Sequence, residues 1–165
     1  WSSQSSWTVG ALNFAQFIGA RVTNNSNYYG FTSSAIADKY ASTKAAGIVH
    51  FASAGNNGTS TLSYPSSLPS VNAVAALDFS GLRAGFSQYG VGLDFSAPGV
   101  FIHSTDRAGG DGYSGNDYAF VSGTSFSSPL TAAVAALVLS YNSTLSALQV
   151  ERAMQQGARD RGTPG

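Results

Sequence analysis

Apolar residues recur at two different periods along this chain, and the changes of period mark out its elements. From Trp7 to Ala20, Leu12, Phe14, Ala15, Phe17 and Ile18 fall at helical spacing and Gly19 weakens the last turn, which predicts a first helix. A short β-branched stretch, Arg21–Asn27, reads as a strand, and Tyr28–Ser34 as a loop. Thr32 to Ser34 offer caps, Ile36, Tyr40 and Thr43 share one face, and Gly47 supplies a stop, predicting a second helix of about three turns. Gly47–Gly55 and Val71–Asp78 are apolar runs of strand length bounded by Gly, Asn, Ser or Pro, the pattern of strands buried on both faces. A fourth strand is expected near Leu93–Ala97, stopped by Pro98-Gly99.

Helices between such strands predict crossover units, so the expected class is α/β: three layers, a mainly parallel sheet with helices on both faces. Phe79–Gln88 and Gly112–Gly123 carry hairpin-type turn signals and read as small antiparallel attachments. A helix beginning near Ser125 runs into Leu130–Ser140, a block apolar enough to be expected wholly buried. Ser146 and Gln149 stand at capping-box spacing and Gly157 is a stop, so a surface helix closes the domain; Arg159–Gly165 is expected to fray. No repeat or linker divides the 165 residues, which read as part of a single domain.

Composition then narrows the function classes. Lys+Arg and Asp+Glu balance at 8 each, so no summed field favours nucleic acid, an anionic membrane or an acidic substrate. With 10% charged residues and 19 glycines, the surface is covered by small neutral polar groups, which fits a secreted, extracellular protein. The absence of cysteine removes a disulfide framework and a thiolate nucleophile. The longest apolar run, around Ala132–Leu139, is short of the roughly 20 residues of a membrane span.

Two stretches carry candidate chemistry. In Ser122–Pro129, "SGTSFSSP", Gly123 can adopt backbone angles closed to other residues and Pro129 is expected in the first helical turn, where its missing N–H does no harm. Ser125 thus falls at a helix N-terminus, beside free N–H groups and the positive end of the macrodipole, suited to an oxyanion. By itself the motif is equally an ordinary helix cap. In Phe51–Gly58, "FASAGNNG", a buried strand ends in Gly55 and then Asn56, whose carboxamide could point over the carboxyl edge of the sheet, where α/β sheets bind ligands; alone, this is an ordinary turn.

Together, in this order, "ASAGNNG" and "SGTSFSSP" resemble the oxyanion-asparagine and nucleophile blocks of the subtilisin-like serine proteases. The segment between them, from "YPSSLPS" to the "APG" turn, is similar to the same family, and the likeness runs from about Trp7 to Gly157. The resemblance implies a serine endopeptidase acting on polypeptides. It makes Ser125 the nucleophile and Asn56 the side-chain donor to the tetrahedral intermediate, with the backbone N–H of Ser125 as second donor and Thr124 assisting. Removing such a donor costs about 10²–10³ in kcat in subtilisin. "TNNSN" matches the strand along which the family lays its peptide, with Ser26 and Asn27 as substrate-binding positions. Ser53, Ala54 and Gly55 match one wall of the primary pocket, and Ser63 falls near its base; such small residues imply room for a large apolar or aromatic side chain. Asn27-Tyr28-Tyr29-Gly30 departs from the family's Leu-Gly-Gly, so no specificity carries over there.

The triad base is not legible. The family's Asp-Ser/Thr-Gly and His-Gly-Thr patterns do not occur; His50 lies in a predicted buried strand and reads as a packed, hydrogen-bonded histidine, and His103 also reads as structural. Asp78 matches a hairpin after a strand, and Asp94 stands alone as a hydrogen-bonded surface carboxylate, so no metal ligand set is assigned. No cofactor is required for the chemistry, and a structural calcium ion stays open for the complete domain. Sequons at Asn24, Asn57 and Asn142 read as chance matches. The chain opens on Trp1, and the resemblance implies that about the first two fifths of the family's catalytic domain, with the triad His and Asp, is absent. That N-terminal part is then the expected partner, and the chain alone is expected to be inactive. The alternative is a non-catalytic peptide-binding pseudoprotease module. An all-β carbohydrate binder, raised by 8 Tyr and 10 Phe, fails on the predicted helices.

Overall fold

The computed structural model describes residues 4–160. Its elements in chain order are α1 (Ser5–Phe17), β1 (Val22–Asn25), α2 (Ser34–Ala45), β2 (Val49–Ser53), β3 (Asn72–Leu77), β4 (Leu93–Pro98), β5 (Ile102–Thr105), β6 (Tyr118–Val121), α3 (Thr124–Tyr141) and α4 (Ala147–Gly157), with one 3₁₀ turn at Gly109–Asp111. The predicted helices and the four predicted parallel strands all form. Expected fraying at Arg159–Gly165 falls mostly on residues 161–165, outside the described residues.

Four parallel strands lie in the order β1-β2-β3-β4, in register from Val22↔Val49 through Phe51↔Asn72 to Val74↔Phe95. All five β2 residues are buried, and alternation sends them to opposite faces. Val49 and Phe51 meet Val74, Phe95, Ala132, Ala135 and Leu139 on the side covered by α3 and α4; Ala52 meets Leu12, Ile36 and Tyr40 on the side covered by α1 and α2. The result is the three-layer α/β architecture the pattern predicts.

Two expectations need correction. Only β1 and β2 are joined through a helix; the connections 54–71 and 78–92 contain none, because their Gly, Ser and Pro residues favour turns over helical runs. Nor is the apolar block of α3 wholly buried. Ala132, Ala135 and Leu139 face the sheet, whereas Leu130 (42%), Val134 (48%), Leu137 (68%) and Tyr141 (96%) form an exposed stripe on the helix's other side. This 18-residue helix is long and apolar enough to cross a bilayer by length and composition, but it packs across all four strands. Its buried hydroxyls are locally satisfied, as in Ser127 Oγ donating to the Thr124 carbonyl and Thr131 Oγ1 to that of Ser127.

The two hairpin signals also resolve. β6 pairs antiparallel with β5, while the 79–88 segment makes one bridge, Leu77 to Arg83, around a turn in which the Asp78 carboxylate accepts from the Ser80 and Leu82 N–H groups. At the start of α4, Ser146 and Gln149 form the full capping box.

Candidate active site

The start of α3 is shaped by two glycines that touch. Gly123 is the N-cap, at φ +155°, a conformation that favours glycine, and its N–H donates to the Gly99 carbonyl at 2.8 Å. A Cβ on Gly99 would lie 2.6 Å from the Ala76 Cβ and 3.0 Å from the Gly123 carbonyl oxygen, so the turn after β4 admits no side chain. The helix therefore begins directly over the carboxyl edge of the sheet, with Ser125 its second residue. As an amide in the first turn, Ser125 N–H has no carbonyl four residues earlier within the helix.

β2 brings Asn56 to the same edge. The Asn56 Oδ1 accepts from both the Thr124 N–H and the Thr124 hydroxyl, each at 2.9 Å, and Thr124 Oγ1 in turn accepts from the Gly55 N–H at 3.2 Å. Thr124 is fully buried. With the carbonyl end of the carboxamide held twice, its NH₂ end is the free one. Gly55, at φ +116°, is required because a Cβ there would collide with Gln88 Oε1 and Ser63 Oγ.

A cavity of about 220 Å³ opens between these groups. Its lining includes Ser125 and Asn56, together with Ser26, Ser53, Gly55 and Ser63, and two positions the sequence reading had not assigned, Tyr28 and Asn57. Ser63 is held by donating to Gln88 Oε1 at 3.0 Å, while Gln88 Nε2 donates to the Thr61 carbonyl. Two sequence-predicted positions fall outside. Ala54 points the other way along the alternating strand, into a core with Leu62 and Ala73, and Asn27 borders a separate cavity beside α1. Tyr28 had a signal, since it sits where the chain departs from the family pattern; Asn57 had none beyond following Asn56.

Pro129 also corrects the sequence reading. It is the sixth residue of α3, not in the first turn, so its missing N–H removes the helical hydrogen bond that the Ser125 carbonyl would accept. Ser26 Oγ donates to that carbonyl at 2.9 Å, and Ser125 Oγ donates to the Ser26 carbonyl at 3.3 Å.

Neither histidine is hydrogen-bonded to Ser125. His50 is fully buried, with Nδ1 2.6 Å from Thr23 Oγ1 and Nε2 2.9 Å from Thr43 Oγ1, and its ring meets Tyr40 edge-on at 4.9 Å. Burial, and secondarily the Lys44 charge, push its pKa down to about 4, so it is neutral at pH 7. His103 stacks on Phe120 at 4.8 Å on β5. Among the described residues no group of three or more His, Asp or Glu gathers to hold a metal ion, and Asp94 accepts from the Ala73 N–H at 2.8 Å; no cation site is derived.

Comparison with known proteins places the chain in a family. The model of the Subtilase family matches residues 2–165. Subtilisin BL of Lederbergia lenta is 40% identical over 117 residues, covering 71% of this chain and 41% of that protein. Subtilisin DY of Bacillus licheniformis is 43% identical over 122 residues, covering 72% and 42%. A cold adapted subtilisin-like serine proteinase superposes with a TM-score of 0.81 at 28% identity, covering 94% of this chain and 55% of the other. A lanthipeptide protease shares the fold, with a TM-score of 0.88 at 24% identity. The chain thus spans about two fifths of the length of these two subtilisins. With the family model matched from residue 2 to residue 165 and the fold shared with solved subtilisin-like proteases, the chain belongs to the subtilase family.

Proposed function

We propose that this chain carries the nucleophile and oxyanion-donor half of a serine endopeptidase site. Ser125 Oγ attacks the scissile carbonyl carbon, forming the O–C bond while the carbonyl electrons move onto oxygen. That oxyanion is held by Asn56 Nδ2 and the Ser125 N–H. A base takes the hydroxyl proton and returns it to the leaving nitrogen as the C–N bond breaks. The observation that carries this reading is the double grip of Thr124 on Asn56 Oδ1, which leaves the NH₂ end of Asn56 free in a residue that lines the same cavity as Ser125.

The base and its orienting carboxylate come from an N-terminal part of the domain, which also covers the stripe Leu130, Val134, Leu137 and Tyr141; the exposure of that stripe supports an apolar partner surface. The substrates are polypeptides, and the small residues Ser53, Gly55 and Ser63 support a pocket for a large apolar or aromatic side chain on the acyl side. No cofactor enters the chemistry, and the low charge and neutral polar surface support an extracellular protease. Joined to or mixed with the N-terminal part, the chain should be labelled at Ser125 by a fluorophosphonate, while the isolated chain should not, because an unassisted serine is a poor nucleophile at neutral pH. Peptide binding with no labelling in the completed molecule would establish the non-catalytic module instead.

A further inference from the structure

We infer that Asn24 and Ser26 are positioning residues that hold the main chain of Ser125, in the place of the helical hydrogen bond that Pro129 deletes; the catalytic consequence rests on the reading of Ser125 as nucleophile. The requirement begins with a missing donor. In a regular helix the Ser125 carbonyl would accept the N–H of residue 129, but proline has none and its ring crowds that carbonyl. An unpaired carbonyl in a half-buried first turn is costly, and a nucleophile carried on that peptide would be free to tilt.

The Ser26 hydroxyl supplies the donor, at 2.9 Å. Its one proton is committed there, so any other partner must donate to it. Asn24 does so: its Nδ2 donates to Ser26 Oγ at 3.0 Å, which leaves its Oδ1 to accept the hydroxyl of the fully buried Ser128 at 2.6 Å. The hydrogen bonds run one way, Ser128 to Asn24 to Ser26 to the Ser125 carbonyl. Both ends lie on the first two turns of α3 and the middle on and just beyond β1. The return bond, Ser125 Oγ to the Ser26 carbonyl, joins the hydroxyl itself to the same strand end. Asn24 does not line the cavity that holds Ser125 and Asn56. It acts through Ser26, so its effect belongs to placement of the nucleophile and not to substrate contact.

The deleted helical bond gives the test its specificity. Pro129→Ala restores the N–H, letting the helix satisfy the Ser125 carbonyl without help. In the completed protease, Asn24→Ala and Ser26→Ala should each lower the rate of fluorophosphonate acylation about tenfold, with Asn24→Ala lowering kcat while KM stays within about twofold. Ser26→Thr, which keeps a hydroxyl, should retain most of the rate. In a Pro129→Ala background Asn24→Ala, which lies outside the cavity, should cost no more than about twofold. Equal losses with and without Pro129 would overturn the inference, as would an Asn24→Ala effect confined to KM. If the unsubstituted completed protein is not labelled at all, the proposed function fails, and the same cycle is then read in thermal unfolding of the completed protein. There the destabilisation by Ser26→Ala should vanish with Pro129→Ala; additivity would overturn the clamp independently of catalysis.

Discussion

The helices α3 and α4 start in opposite ways. α4 closes its own N-terminus: Ser146 Oγ accepts from the Gln149 N–H and Gln149 Oε1 accepts from the Ser146 N–H, so two free amides are paired within four residues of sequence. α3 has Gly123 as N-cap and no capping side chain of its own. Its first amide, that of Thr124, is taken by Asn56 from the end of β2, and the carbonyl that Pro129 leaves without a helical donor, that of Ser125, is held by Ser26 from just beyond β1. A helix end built only for stability is finished locally. One finished from a distance can keep some of its donors open at a fixed place, as the proposed oxyanion role of α3 requires.

The largest change to this contrast should come from removing the borrowed cap. In the completed protease Asn56→Ala should lower kcat about 10²–10³-fold with KM little changed, the size seen for loss of such a donor in subtilisin; a loss confined to KM would assign Asn56 to substrate binding instead. Acid should loosen the sheet on which both helices rest. The His50 pKa lies at about 4 when folded, below its ordinary 6.5. The unfolded chain therefore takes up a proton first as pH falls, and the stability present above about pH 6.5 is lost down to about pH 4, by roughly 3 kcal/mol. Chemical denaturation of the completed protease across that range, beside a His50→Gln variant with a flatter profile, checks the assignment.

Smaller effects separate the two helix starts. Gly123→Ala places a side chain at φ +155° with its Cβ about 3.5 Å from Asn56 Nδ2, so the cost is backbone strain of about 1–3 kcal/mol, accompanied by slower acylation. Ser146→Ala removes the self-contained cap, for about 1 kcal/mol in thermal unfolding, and should leave the acylation rate unchanged. A slowed acylation in the Ser146 variant would mean that the two ends are coupled and the contrast is false.

What local order dictates was readable in the chain itself. The strand run ending in Gly55, the Ser146/Gln149 box and the pairing of "SGTSFSSP" with "ASAGNNG" all depend on neighbours within a few residues or on a resemblance spanning the chain. Tertiary structure decided the rest, because it depends on which distant groups meet. Ala54 is excluded from the cavity by the pleat of its strand, whereas Tyr28 and Asn57 enter it. The apolar code of α3 could not tell its sheet-facing side from the exposed stripe, since both are apolar. Pro129 looked harmless by spacing alone. Only the position of the helix start, fixed by the contact of Gly99 with Gly123, makes it remove a hydrogen bond that a serine about a hundred residues earlier in the chain replaces.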